Sequence, residues 1–282
     1  MRSSTWCLVV LAATLLASPI ARAAGEDELI SLINSRRAET RGCDGAAEAA
    51  VGPLAPSSVL ARVDAAAAAR NLRKALTAAG YRAATATTIV LSGVPNASEA
   101  ARLVEKHCEA VRNPRYAEIG VGREGSTWRI NLAAPLLAGD LGDWRDAGKA
   151  VLRLVNEARK RGGTCGKQRF GPTPPLAWND KLAAAALAHS REMAMRNYFD
   201  HVDPSGGAVA ERASREGYPW RVIGENIAAG IGSPQQAVAG WLASPGHCAN
   251  ILSPDFTEMS AAYAINDGAA MEIYWTQVFG KR

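Results

Sequence analysis

Val151-Leu152-Arg153-Leu154-Val155-Asn156-Glu157-Ala158-Arg159 repeats the pattern of Leu29-Ile30-Ser31-Leu32-Ile33-Asn34-Ser35-Arg36-Arg37 at a shift of 122 residues. Apolar residues recur at helical spacing in both stretches. The same shift sets Cys165 on Cys43 and Pro175-Leu176-Ala177 on Pro53-Leu54-Ala55. Further along, Gly217-Tyr218 stands 137 residues beyond Gly80-Tyr81, and His247-Cys248 stands 140 beyond His107-Cys108. A unit this long exceeds a solenoid repeat and predicts two tandem domains, residues 24–138 and 144–282, with a boundary near residues 139–142.

Ahead of the first copy, Met1-Arg2 leads into an apolar run from Trp6 to Ile20 that closes with Ala21-Arg22-Ala23. A run this short with a small-x-small ending predicts a signal peptide over residues 1–23 and an exported product, periplasmic or extracellular. No later stretch reaches about 18 uninterrupted apolar residues, so no transmembrane anchor is expected after cleavage. Of 282 residues, 48% are apolar and 21% charged, which excludes a disordered chain. The 32 Lys and Arg exceed the 27 Asp and Glu by only five, and Arg2 and Arg22 leave with the leader. Basic runs such as Arg159-Lys160-Arg161 are scattered among acids, so no nucleic-acid partner is expected.

Cys7 also leaves with the leader, and Cys43, Cys108, Cys165 and Cys248 remain. In an oxidising compartment four cysteines admit three pairings. Each copy owns one cysteine near its first helix and one after its His, so the economical pairing is Cys43 with Cys108 and Cys165 with Cys248. Bridges over loops of this length would each constrain the unfolded chain by roughly 4 kcal/mol.

In the second copy a helix ends around Gly162-Gly163, and another starts behind the capping pair Asn179-Asp180 with Leu182, Ala186, His189 and Met193 on its apolar face. His189 on that face reads as a hydrogen-bonded core residue. Ser233-Pro234 opens a third helix, and Pro245-Gly246 is expected to stop it. Strand-like runs cover 225–228, 259–265 and 271–279, the last two around Asn266-Asp267-Gly268, a hairpin signal. Helices before and between strands of a mainly antiparallel sheet predict an α+β layered domain. Asn96-Ala97-Ser98 matches a glycosylation pattern, but the repeat aligns it with the third helix's start, so capping is the expected role.

The repeat also distinguishes the copies chemically. The shift grows by 15 residues between the Pro-Leu-Ala and Gly-Tyr matches, so the second copy carries extra chain around Asp200-His201-Val202-Asp203-Pro204-Ser205-Gly206. The first copy has no counterpart of His201 and has Thr88 opposite Glu225, although it keeps His107 opposite His247 and Glu118 opposite Glu258. His201, Glu225, His247 and Glu258 all fall at element ends, where loops build sites.

The second copy resembles the CAP superfamily of cysteine-rich secretory, antigen 5 and pathogenesis-related 1 proteins, in its bacterial secreted branch. The residues that carry the likeness are Pro175-Leu176-Ala177-Trp178, Tyr198-Phe199-Asp200-His201, Gly217-Tyr218, Gly224-Glu225-Asn226-Ile227-Ala228, Trp241 with Ser244-Pro245-Gly246-His247, Asn250-Ile251-Leu252, and Tyr274-Trp275-Thr276-Gln277-Val278-Phe279-Gly280. The first copy looks like a degenerate version. The resemblance implies a three-layer α-β-α sandwich with a cleft lined by two His and two acidic residues, here His201, Glu225 and His247. The family's second acid is missing from Trp241-Leu242-Ala243-Ser244, and Glu258 is the substitute expected from its recurrence as Glu118.

Two imidazoles and a carboxylate suit zinc or a similar divalent ion, so His201, Glu225 and His247 are the expected ligands if a metal is held. The same three are the candidate catalytic groups for metal- or base-assisted hydrolysis of a peptide bond or wall component. No nucleophile is evident, because Ser244 before Pro and Ser205 in Pro-Ser-Gly are ordinary turn residues. The favoured expectation is therefore an exported binding or interaction module, with a lipid, a glycan or an envelope or extracellular protein as partner.

Overall fold

Asn34 and Asn156 hold equivalent places in two frameworks. Asn34 donates from Nδ2 to Leu54 O at 3.1 Å and accepts from Leu54 N at 2.9 Å. Asn156 does the same with Leu176, at 3.0 and 2.8 Å. The computed structural model describes residues 24–136 and 141–282. The expected signal peptide and part of the expected boundary at 139–142 lie outside them. Among the described residues no helix is long and apolar enough to cross a membrane.

The first half runs α1 (Ala24–Arg37), β1 (Ala55–Pro56), α2 (Ser58–Ala61), α3 (Ala65–Ala78), β2 (Ala83–Leu91), α4 (Ala97–Val104), α5 (Cys108–Val111), β3 (Glu118–Glu124) and β4 (Thr127–Pro135). The second runs α6 (Trp144–Arg161), β5 (Gly163–Cys165), β6 (Gln168–Phe170), β7 (Ala177–Trp178), α7 (Asp180–Arg196), α8 (Val209–Arg215), β8 (Val222–Ala229), α9 (Pro234–Leu242), α10 (Pro245–Leu252), β9 (Glu258–Ile265) and β10 (Ile273–Lys281). Each half owns a four-stranded sheet, ordered β1-β3-β4-β2 and β7-β9-β10-β8. In each, the short first strand is parallel to its neighbour and the other pairings are antiparallel. The fold is α+β with mainly antiparallel sheets.

Strand alternation explains the layers. Met259, Ala261 and Tyr263 of β9 face α6, α9 and α10 in one core, whereas Ala262 packs with Leu182 and Ala186 of α7 on the opposite face. In the first half, Ile119, Val121 and Ile130 pack under α1 and α4, while Ala133 turns towards Leu60 and Leu76 of α2 and α3. Both sheets are covered on both faces.

Arg37 and Arg159, each 1% exposed, organise corresponding ends of the halves. Arg37 donates to the carbonyls of Gly52, Val111, Asn113 and Tyr116. Arg159 donates to those of Pro174, Ile251, Ser253 and Phe256, the positions reached by the same shifts. Burial pushes Arg37 down to about 9, with the nearby charge of Arg112 adding to the shift; its four carbonyl acceptors supply the hydrogen bonds that a buried guanidinium requires. Disulfides join Cys43 to Cys108 and Cys165 to Cys248, as the repeat suggested.

Several local expectations meet their elements. Asn179 accepts from Lys181 N and Leu182 N at the start of α7, Ser233 caps α9 with Pro234 behind it, and Asn96 caps α4 by accepting from Glu99 N. α9 ends at Leu242, short of Pro245, and Pro245 then opens α10, because Pro is preformed for a helix's first turn; His247 lies inside that turn. The expected hairpin joins β9 to β10 around Asn266-Asp267-Gly268, with Asn266 N reaching Glu272 O across the loop. Asn266 spends its side-chain amide on Ala194 O, which ties that loop to the end of α7.

The halves are docked through the first half's α1–β1 end and the second half's α9. Gly240 of α9 packs on the backbone of Ala55, Asn34 Nδ2 donates to Ala243 O at 3.3 Å, and Gln236 donates to the buried Glu118 carboxylate. Ala55 and Ala117 of the first half belong to the same core cluster as Trp241 and Trp275 of the second.

Candidate functional site

β8 is an edge strand, and Glu225 is its fourth residue. The register sets Glu225 opposite Val278, which in turn is opposite Ser260. In the first half Thr88, Asn131 and Gly120 occupy the same three positions, and Thr88 Oγ1 donates to Asn131 Oδ1 at 2.7 Å. A neutral hydrogen bond thus stands in the first sheet where the second carries a carboxylate.

The Glu225 side chain is only 2% exposed, and both of its oxygens are engaged. His201 Nδ1 lies 2.8 Å from Oε1, and Arg212 Nη2 donates to Oε2 at 2.7 Å. Burial by itself would raise this carboxyl. The His201 hydrogen bond and the charge of Arg212 outweigh it and hold the group below the usual carboxylate value. An ionised Glu225 makes His201 Nδ1 the donor, which leaves the lone pair of a neutral ring on Nε2. His201 itself is half exposed.

Arg212 does more than neutralise Glu225. It also donates to Gly207 O at 2.9 Å and to His201 O at 3.0 Å, so one buried guanidinium fixes both the carboxylate and the loop that carries His201. Asp203 tightens the same loop by accepting from the backbone N–H groups of Ser205 and Gly207 and from the Ser205 hydroxyl. The loop after α7 and α8 itself supply these parts, within the stretch between Ala177 and Gly217 where the second half is 15 residues longer than the first.

His189 is fully buried, as expected of a core residue, and its Nε2 donates to Asp200 O at 2.9 Å. It also lies 3.9 Å from Glu225 Oε1, which helical periodicity does not reveal. Burial drives its imidazole down, so it is neutral near pH 7, and Nδ1 has no hydrogen-bond partner among the described residues. His247 Nδ1 lies 2.9 Å from Ser244 Oγ. Burial, reinforced by His201, drives His247 down to about 3, so it too is neutral near pH 7. The contact with Ser244 is local to the α10 cap, and Ser244 is buried.

His201 and His247 line one cavity of about 230 Å³ together with Phe199, Asp200 and Ile227. Glu225 backs this cavity through His201. Glu258 is not part of it: it sits at the start of β9, two strands away, and accepts from Asn179 Nδ2, Tyr218 OH and Arg282. The substitute acid expected from the repeat is therefore a corner clamp, because its position beside β7 and the chain end puts three donors within reach. Glu118 keeps the same register against β1 but meets Gln236 of the other half.

The donor set does not fit a metal. A zinc site takes three or four protein ligands, yet Glu225 has given both oxygens to His201 and Arg212. Among the described residues no three His, Cys, Asp or Glu side chains gather in a group able to hold an ion. The residues present thus do not fit the ligand set His201, Glu225 and His247 expected from the sequence.

Sequence reasoning missed Arg212. A buried carboxylate calls for a cation, but Arg212, Arg215 and Arg221 all lie between His201 and Glu225, and spacing does not choose among them. It also missed Ala38, Thr40 and residues 49–52 of the first half, which line the same cavity.

A sequence model described as CAP, the cysteine-rich secretory protein family, matches residues 152–279. Uncharacterized protein YkwD of Bacillus subtilis (strain 168) is 34% identical over 131 residues, 46% of this chain and 46% of that protein. Uncharacterized membrane protein YlbC of the same organism is 31% identical over 134 residues, 48% of this chain and 34% of that protein. The chain thus spans less than half the length of these curated relatives. A solved extracellular protein containing a SCP domain from Bacillus anthracis str. Ames is 27% identical with a TM-score of 0.42, covering 56% of this chain and 53% of that one.

Proposed function

We propose that this chain, which belongs to the CAP, cysteine-rich secretory protein family through residues 152–279, is an exported binding module whose ligand enters the His201–His247 cleft. The observation that carries this reading is the engagement of Glu225. A carboxylate held by Arg212 and His201 is spent on building the cleft wall, and it orients an imidazole that lines an otherwise mostly apolar cavity. The two disulfides suit an oxidising compartment, periplasmic or extracellular. On this reading the first half is a duplicated copy that has lost the cleft's polar groups and kept the frame.

The test is equilibrium binding to lipid, glycan and envelope-protein panels, comparing wild type with His201→Ala and Glu225→Gln. Saturable binding that either substitution weakens supports the module. Uniform absence of binding across the panels overturns it.

One observation favours a second reading. His201 oriented by Glu225 through Nδ1 is the arrangement of a general base with its orienting acid. No nucleophile accompanies it: Ser244 is buried, and Ser205 Oγ is donated to Asp203. Hydrolysis would therefore have to proceed by an activated water. Cleavage of a peptide or wall substrate that falls at least about a hundredfold in Glu225→Gln would establish this reading.

A further inference from the structure

The cleft has a wall that the family domain does not provide. Val51 and Gly52 of the first half line it opposite Phe199 and Ile227 of the second. This wall is held from behind at several points. Val51 N donates to Arg37 O at 2.8 Å, Arg37 Nε donates to Gly52 O at 2.7 Å, and Arg37 is itself buried. The Cys43–Cys108 bridge closes the segment from which the wall emerges. Gly52 packs tightly against the second half, since a Cβ there would lie 3.2 Å from Phe199 Cζ. The docking of α9 on Ala55 holds the same face together beneath the cavity.

We propose that the first half is a specificity-determining wall of this cleft, and that the composite pocket takes a small uncharged molecule with an apolar body and one hydroxyl, which donates to His201 Nε2. The proposal rests on the reading of the cleft as a binding site and deepens it. The size follows from the cavity of about 230 Å³ between two fixed walls. The absence of charge follows from the lining, in which no Lys or Arg appears, so an anion would lose its hydration without a partner. Asp200 is exposed to water and its Oδ1 accepts from Val202 N, so it offers a cation little in return. The hydroxyl follows from the His201 ring, whose Nδ1–H is committed to Glu225 and whose Nε2, an acceptor in that tautomer, has no hydrogen-bond partner among the described residues.

The test is calorimetric titration of p-cresol into the whole disulfide-bonded chain, with the His201 and His247 imidazole resonances followed by NMR. Saturable binding that shifts the His201 signal is expected in wild type. Val51→Trp fills the cavity from the first half, and His201→Phe removes the acceptor; each is expected to weaken binding by about tenfold or more. Ala50→Leu fills the same wall should Val51→Trp fail to fold. Wild-type affinity in both wall variants, with loss in His201→Phe, overturns the role of the first half and leaves the cleft standing as a site. Absence of saturable p-cresol binding in wild type overturns the ligand class, while the lipid, glycan and protein panels judge the cleft separately.

Discussion

Arg212 Nη2 and Glu225 Oε2 lie 2.7 Å apart with side chains 4% and 2% exposed, and this buried pair joins an edge strand to the loop that carries His201. Removing one member of such a pair leaves the other charged and dry. Arg212→Met is therefore expected to cost about 3–5 kcal/mol, and the double variant with Glu225→Gln to recover much of that loss. Urea unfolding of the four proteins measures the coupling. Additive losses would mean that the two side chains do not act as a pair.

Acid should weaken the protein in a defined window. His247 and His189 have imidazoles lowered by burial, so in the folded chain they stay neutral while in the unfolded chain they protonate near 6.5. Their contribution is complete above pH 6.5 and falls away as pH drops towards about 3, where His247 titrates in the folded state. Glu225, held low in the fold, adds a loss of the same sign below the ordinary carboxylate range. Urea midpoints from pH 7 to pH 4 should decline, and more shallowly in His247→Gln. An equal slope in that variant would remove His247 from the account.

Glu258 clamps Asn179, Tyr218 and Arg282 together by accepting from all three. Glu258→Gln is expected to lower stability by about 1–3 kcal/mol through weakened charge-assisted hydrogen bonds. Ligand affinity at the cleft should not change. A selective loss of binding without loss of stability would restore Glu258 to the site.

Gly148 of α6 lies against β9 so closely that a Cβ would stand 2.1 Å from Ala261 O. Backbone cannot yield as a side chain can, so Gly148→Ala should separate helix from sheet and cost at least about 1–3 kcal/mol. Thermal unfolding gives the number, and a wild-type midpoint would show that α6 can slide without penalty.

Sequence by itself determined the frame. The helical pattern of 29–37 and 151–159, the caps at Asn96, Asn179 and Ser233, the strands on either side of 266–272 and the pairing of cysteines are local or periodic signals. The helices, caps and strands arise from backbone hydrogen bonding and alternation, and the cysteine pairing is legible through the repeat. His201, Glu225 and His247 were legible too, through motifs and through what the first copy lacks. Tertiary structure alone decided how those groups are used. It chose Arg212 over two other arginines to neutralise Glu225, moved Glu258 two strands away to a corner, and brought residues 49–52 across to close a pocket on Phe199. The physical reason is common to all three. Burial makes an unpaired charge or an uncovered apolar face costly, and which partner relieves that cost depends on which segments fold into contact, not on their distance along the chain.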